Sequence, residues 1–303
     1  MKTKAITVIV TAILAFAYWS CSGTKSNPSD YSDVLIIATG ANGEDVPDNT
    51  LSAFANSIGI GSDMLSFKVY FTHDDVPIIA ANPYFDIVGS KNNRAHLSEL
   101  GYHAIRQAHP LKLSHGFSVF KNTIPYPSIS DLVRLDSIYY QRYPKSIGNK
   151  VVYQIGIMAN SKGVHSYREH LMDVHIFVKN LLSQLPAERL VIYSDDPILL
   201  RHIHRHYPEM PLGLETQHVH EDHHWKTVGF KPDIYRIKLK NIDDGKLESL
   251  NKSGFRVFIE EISTPAEMRK AASYGADGVC TKFPSDAVII FGDEVNNPFT
   301  PGK

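Results

Sequence analysis

Short apolar runs alternate with helix-periodic stripes along most of the chain, and this alternation constrains the fold more than any other feature of the sequence. Residues 34–38 form a continuous apolar run. After a polar loop, Leu51, Phe54, Ala55 and Ile58 recur at the i, i+3, i+4, i+7 spacing of one helix face. Residues 64–71 and 76–80 read as the next strand and a short extension beyond the Asp74-Asp75 turn. Residues 151–158 read as a further strand, and Leu171, Val174, Val178, Leu181, Leu182 and Leu185 then share a helical face. Residues 190–193, 234–239, 257–259 and 278–280 supply four more strand candidates. Thr264-Pro265-Ala266-Glu267 is a capping box with proline at the first helical position, and Gly275 stops that helix. No linker or composition break interrupts the series. Repeated βα units of this number predict a single-domain α/β fold, a (β/α)8 TIM barrel rather than an open doubly wound sheet.

Composition bounds what such a barrel can serve. The chain has 31 Lys+Arg against 32 Asp+Glu and is 43% hydrophobic. It has neither the net charge of a disordered segment nor the basic excess of an electrostatic nucleic-acid binder, so no nucleic-acid partner is expected.

The leader stands apart. Lys2 and Lys4 precede a weakly polar-to-apolar run over 5–19 that stops short of Cys21. As a helix it would cover about 22 Å, less than the ~30 Å hydrocarbon core, so it reads as a signal peptide. Ser20-Cys21-Ser22-Gly23 and the polar stretch after it resemble the bacterial lipoprotein signal, in which the cysteine is acylated and becomes the mature N-terminus. An ordinary signal peptide cut nearby is the alternative. The expected layout is a lipoprotein signal peptide at 1–20, a polar tether at 21–32, the barrel at 33–297 and a tail at 298–303. The expected location is the bacterial cell envelope, with the lipid anchor in the membrane, and Ser22 resembles outer-membrane sorting.

Several short motifs then occur in order. Ile36-Ile37-Ala38 leads to Pro47-Asp48-Asn49-Thr50-Leu51-Ser52-Ala53-Phe54, followed by Gly61-Ser62-Asp63-Met64-Leu65-Ser66-Phe67-Lys68-Val69 and Thr72-His73-Asp74-Asp75-Val76-Pro77-Ile78-Ile79. Near the far end comes Gly275-Ala276-Asp277-Gly278-Val279-Cys280-Thr281-Lys282-Phe283-Pro284. The series resembles the glycerophosphodiester phosphodiesterase family, whose motifs read H-R-G with P-E-N-T, G-A-D-x-I-E-x-D-V, T-x-D-G-x-P-V-V and G-V-D-G-I-x-T-D-x-P. The resemblance runs from about Val34 to Pro284 and implies a TIM barrel with its site at the C-terminal ends of the strands. It also implies two histidines acting as general acid and base on a phosphodiester, with carboxylates holding a divalent metal.

The residues at those positions are different ones. The first histidine and arginine fall on Thr39 and Gly40, and the second histidine falls on Ala81, followed by Asn82. Threonine is no neutral-pH proton shuttle unaided, and alanine has nothing to donate. The metal positions are Asp48, Ser66, Lys68 and Gln154, with Gly156 where the family's E-I-K has its lysine. Only Asp48 keeps a carboxylate, and it also reads as a helix cap. Lys68 puts a cation where the family has a ligand for one.

The expectation is therefore a membrane-anchored, non-catalytic member of that family, acting in ligand binding or as an assembly component with a protein partner in the envelope. Asp48, Lys68, Asn82, Gln154, Asp195 and Glu260 are the candidate ligand-binding residues, in a mouth that also holds Thr39, Asn42, Ser66, Ser194 and Asp196. Lys68 would be the anchor for a small polar or phosphate-bearing ligand. No cofactor is expected. The alternative is a divergent phosphoric diester hydrolase that rebuilt its site from Asp48, Lys68, Asp195, Glu260 and a loop histidine, and it alone would call for Ca²⁺ or Mg²⁺.

Fifteen histidines raise a third possibility, a zinc or nickel site. On a helix His202 and His206 would share a face, as would His220 and His224, although neither run carries the Glu of H-E-x-x-H or a cysteine. His165, His170 and His175 are spaced by five, which scatters them around a helix. The G-x-S-x-G motif of Ser/His/Asp hydrolysis is absent.

Overall fold

The computed structural model describes residues 33–40, 46–86, 94–107, 126–142, 151–158, 166–220 and 222–291. The signal peptide, the tether with Cys21, Asn42, His165 and the 298–303 tail lie outside the described residues.

In chain order the elements are β1 (Leu35–Thr39), α1 (Leu51–Ile60), β2 (Met64–Phe71), β3 (Pro77–Ile79), β4 (Tyr84–Asp86), β5 (Arg94–His96), α2 (Tyr102–Gln107) and α3 (Ile129–Arg142). They continue with β6 (Val152–Ile157), α4 (Tyr167–Leu182), β7 (Leu190–Ser194), α5 (Pro197–His206), β8 (Leu212–Glu215), α6 (Asp222–Val228), β9 (Ile234–Lys238) and α7 (Asp244–Lys252). The last are β10 (Arg256–Ile262), α8 (Pro265–Ser273), β11 (Gly278–Thr281) and α9 (Pro284–Phe291).

Strands β2 and β6 to β11 pair in parallel, each with the next, and β1 pairs with both β2 and β11, which closes an eight-stranded barrel. The (β/α)8 expectation is met. Strand β3 folds back antiparallel on β2 and stays outside the eight, and β4–β5 is a separate hairpin. Sequence periodicity misses β8, whose four residues include Gly213 and are too few to show a period. Gly213 fits because a Cβ there would come 3.3 Å from that of Tyr193.

Local signals set the helices. Thr264 Oγ accepts from Glu267 N–H at 3.2 Å while Glu267 Oε2 accepts from Thr264 N–H at 3.1 Å, the capping box that starts α8. Gly275 ends that segment at φ 92°, in the left-handed region. The cap of α1 is Thr50, whose Oγ1 accepts from Ala53 N–H at 3.2 Å, so the capping role expected of Asp48 is corrected. The buried face of α1 is Ala53, Phe54, Ser57 and Ile58, rotated from the expected stripe, with Leu51 and Ala55 half-buried at its edge.

Three aspartates fasten the N-terminal ends of the strands. Asp63, Asp233 and Asp277 each stand one residue before β2, β9 and β11, and each accepts with Oδ2 from a backbone N–H of the strand alongside: Ile36, Leu212 and Val257, all at 2.8 Å. Each aspartate also donates its own N–H to the carbonyl of that same residue, at 2.9–3.0 Å. These paired bonds satisfy strand-edge groups that the sheet register leaves over. Burial raises the Asp63 and Asp233 carboxyls above their ordinary value.

Register identifies the lumen. Ile37, Phe258 and Gly278 meet inside, where a Cβ on Gly278 would lie 2.9 Å from both neighbours. Burial of each large apolar side chain there stabilises by roughly 1.5–3 kcal/mol. Toward the C-terminal ends the same alternation presents polar residues.

Candidate functional site

At the C-terminal end of the lumen, Thr39, Ser66 and Gln154 stand side by side on β1, β2 and β6, since Thr39 is in register with Ser66 and Ser66 with Gln154. Two residues higher, Lys68 is in register with Gly156, and Gly156 with Tyr193. A Cβ on Gly156 would lie 2.4 Å from Tyr193 Cζ. The tyrosine ring thus fills the space that a side chain at 156 would take.

Tyr193 supports a buried guanidinium. Arg236 on β9 is 1% exposed and lies over the Tyr193 ring, 3.5 Å from its centroid. It donates to Glu260 Oε1 from Nε at 2.9 Å and from Nη2 at 2.5 Å, and across the lumen from Nη1 to Ser66 Oγ at 3.0 Å. Burial by itself would lower the guanidinium pKa, but Tyr193 and Glu260 outweigh it and hold Arg236 above the ordinary arginine value. Burial also pushes the Tyr193 phenol up.

Closer to solvent, Lys68 on β2 reaches across the mouth to Glu215 Oε1 on β8 at 3.1 Å. Tyr70, also on β2, has its phenol pushed up by burial and then by the nearby Glu215 and Asp195 carboxylates. Asp195 therefore belongs to the same rim, exposed one residue beyond β7. Asp48 pairs with Lys282, and Lys238 with Glu261. Several polar atoms here are buried with no hydrogen-bond partner: Thr39 Oγ1, both amide atoms of Gln154, Glu215 Oε2 and Asp48 Oδ1. Unpaired buried groups cost about 1–3 kcal/mol each unless something external bonds them, so their convergence marks a place for a polar ligand or water.

The candidates thus separate. Lys68, Gln154 and Glu260 share the lumen, and Asp48 and Asp195 stand at its rim. Asn82 does not enter this set; its Oδ1 accepts from Tyr84 N–H at 3.0 Å in an exposed turn beside exposed Ala81. Asp196 caps α5 by accepting from Ile198 N–H at 2.8 Å. Lys68 is not the open anion anchor expected of it, because Glu215 already balances its charge. Glu260 likewise is the counter-ion of Arg236. Glu215, Tyr70, Arg236 and Lys282 were missed by sequence reasoning. A charged residue inside the apolar run of β9 was a usable signal for Arg236, and the every-second-residue spacing of Ser66, Lys68 and Tyr70 was one for Tyr70.

The divalent metal that the family resemblance implies does not fit these side chains. Of its four ligand positions, one holds an ammonium, one a serine bonded by a guanidinium, one a neutral amide, and the fourth a carboxylate already paired with Lys282. Hard cations take oxygen ligands from unpaired carboxylates and carbonyls. Among the described residues, no three carboxylates or imidazoles of the mouth come within 4.8 Å of one another.

Comparison with known proteins gives a consistent picture. The model of the glycerophosphoryl diester phosphodiesterase family matches residues 40–286. A solved candidate glycerophosphoryl diester phosphodiesterase of Silicibacter pomeroyi superimposes with TM-score 0.71 at 18% identity, covering 88% of this chain and 95% of that one. A phosphodiesterase of Oleispira antarctica, solved with the product sn-glycerol-3-phosphate, gives 0.68 at 13% identity over 86% and 97% of the two chains. A glycerophosphodiester phosphodiesterase of Parabacteroides distasonis gives 0.66 at 14% identity over 86% and 97%. At these identities the likeness is one of fold. Among curated proteins, 94 residues are 31% identical to alpha,alpha-trehalose-phosphate synthase (UDP-forming) 1 of Caenorhabditis elegans, a match spanning 29% of this chain and 7% of that protein.

Proposed function

The chain belongs to the glycerophosphoryl diester phosphodiesterase family, and from that premise we propose that it is a non-catalytic member that binds a polar ligand in the mouth of its barrel. One observation carries this: at a position where the family has a metal ligand, Lys68 forms an ion pair with Glu215 across the mouth. A lysine ammonium coordinates nothing while protonated, and neither Thr39 nor Ala81 supplies the acid–base pair that phosphodiester cleavage requires.

Lys68 and Lys282 are already paired with Glu215 and Asp48, and the atoms left without a hydrogen-bond partner are a hydroxyl, a primary amide and two carboxylate oxygens. Such a set suits a hydroxyl-bearing neutral or zwitterionic ligand, such as the glycerol end of a glycerophosphodiester. A bare phosphate would have to compete with Glu215 for Lys68. The leader extends the proposal. Acylation of Cys21 would tether the barrel to the membrane of a bacterial envelope, at the outer membrane, where it could present its outer surface to a protein partner.

A second reading, a phosphoric diester hydrolase with a rebuilt site, is favoured by Glu215 Oε2, a buried carboxylate oxygen in the mouth that has no hydrogen-bond partner. One assay separates the two. Mature protein is incubated with glycerophosphocholine, glycerophosphoethanolamine and bis-p-nitrophenyl phosphate in Ca²⁺, Mg²⁺, Mn²⁺ or Zn²⁺, and binding of the first two is followed by calorimetry. Saturable binding without turnover is expected. Turnover abolished by Glu215→Gln or Asp48→Ala would establish the hydrolase instead.

A further inference from the structure

We infer that the outer helical shell carries a transition-metal site, in which the imidazoles of His175, His202 and His206 hold a nitrogen-preferring divalent cation of the Zn²⁺ type. The site is remote in kind from the mouth and independent of the reading given to it. Its residues come from two neighbouring helices. His202 and His206 are one turn apart on α5, with ring centroids 4.6 Å apart. His175 on α4 adds the third ring, 4.7 Å from that of His206 and 6.5 Å from that of His202. One ligand atom from each of the three lies within 4.8 Å of the others. Zinc–nitrogen bonds of about 2.0–2.1 Å in a tetrahedron require nitrogens roughly 3.4 Å apart, a separation reached by small side-chain rotations. The spacing by five that scatters His170 and His175 around α4 also aims His175 at α5.

Hydrogen bonding to backbone carbonyls sets the tautomers of His206 and His202 as a metal needs them. His206 Nδ1 is 2.9 Å from the carbonyl of His202, so Nδ1 carries the proton and Nε2 keeps its lone pair. A ring nitrogen of His202 bonds the carbonyl of Leu171, while His202 Nε2 is buried with no partner at all. Tyr207 brings its hydroxyl within 3.4 Å of His175 Nδ1 and stacks on that ring. Each ligand nitrogen is thus backed by a bond at the other side of its ring, the arrangement that orients metal-binding histidines. His206 is exposed and the other two are half-buried, so a cation can enter. Three protein ligands leave the fourth tetrahedral position to water.

Untagged, metal-stripped mature protein is titrated with Zn²⁺ against a chromophoric chelator at pH 7.5, with unfolding temperature recorded in parallel. One Zn²⁺ per chain is expected, with a rise in unfolding temperature. His202→Ala and His175→Ala should each weaken binding about a hundredfold while their metal-free unfolding temperature stays near that of the parent. His220→Ala/His224→Ala, which removes the half-buried stacked pair 4.3 Å apart beside Trp225, should leave the stoichiometry unchanged. A stoichiometry near zero, or undiminished binding by His202→Ala/His206→Ala, would overturn the assignment.

Discussion

Two ion pairs, one at each end of the barrel, are built by different rules. At the N-terminal end, Asp136 accepts from Arg189 through both oxygens, at 3.0 and 2.6 Å, with the two side chains only 7% and 9% exposed. The same guanidinium donates to the Val151 carbonyl, and the Tyr153 hydroxyl donates to Asp136. At the mouth, Lys68 meets Glu215 through one contact, with 30% and 24% of the side chains exposed. The closed network contributes to the fold, because removing either member strands a buried charge. The rim pair is wet and replaceable. A barrel organised this way can exchange the residues at its mouth for others while the opposite end keeps the fold, consistent with the division of labour between the two faces of TIM barrels.

The largest effect expected from breaking this contrast is at the N-terminal end. Asp136→Ala should cost about 3–5 kcal/mol in urea unfolding, since Arg189 is then left buried without its counter-charge. A loss below 1 kcal/mol would mean that the two ends are not energetically distinct. Inside the mouth, Gly156→Ala forces a Cβ against the Tyr193 ring and should cost roughly 1–3 kcal/mol by thermal unfolding. At the rim, Lys68→Met should change stability by no more than about 1 kcal/mol while altering ligand affinity in calorimetry.

The smallest effect concerns pH, again in opposite senses at the two ends. In the β2–β3 turn on the mouth side, the Thr72 hydroxyl and then the Tyr102 N–H hold the Asp74 carboxyl below 3.8, its ordinary value. Its contribution is present above that unfolded value and is lost as pH falls through the folded one. Burial raises Asp63 above 3.8, so the folded state binds the proton more readily and this contribution declines as pH rises through the interval above 3.8. Urea midpoints between pH 2 and 6 should show Asp74→Asn flattening the acid loss of stability and Asp63→Asn steepening it. Identical profiles for the two variants would remove the distinction.

Much of the barrel was legible in the chain because each βα unit is a local pattern. Strand β2 spans Met64–Phe71 as its apolar run implies, and the α8 capping box is made by residues three apart. Strand β8 was not legible, since four residues around a glycine carry no period, and Glu215 was lost with it. Asp48 illustrates another limit. A short acidic residue before a helix suggests a cap, but Thr50 stands at the turn that needs one, and Asp48 finds Lys282 instead. The partners of Lys68 and Glu260 were not legible either, because each lies on another strand of the barrel.

The amino-acid sequence by itself determined the repeating βα architecture and the family to which the chain belongs, because both depend on periodicity and order over short stretches. Only the tertiary structure decided which charges are balanced and which imidazoles meet. Lys68 and Glu215 are 147 residues apart, Ser66 and Arg236 are 170 apart, and His175 approaches His202 and His206 from a different helix. Closure of the barrel and packing of its outer helices bring such residues together, and no local pattern encodes contacts over those separations.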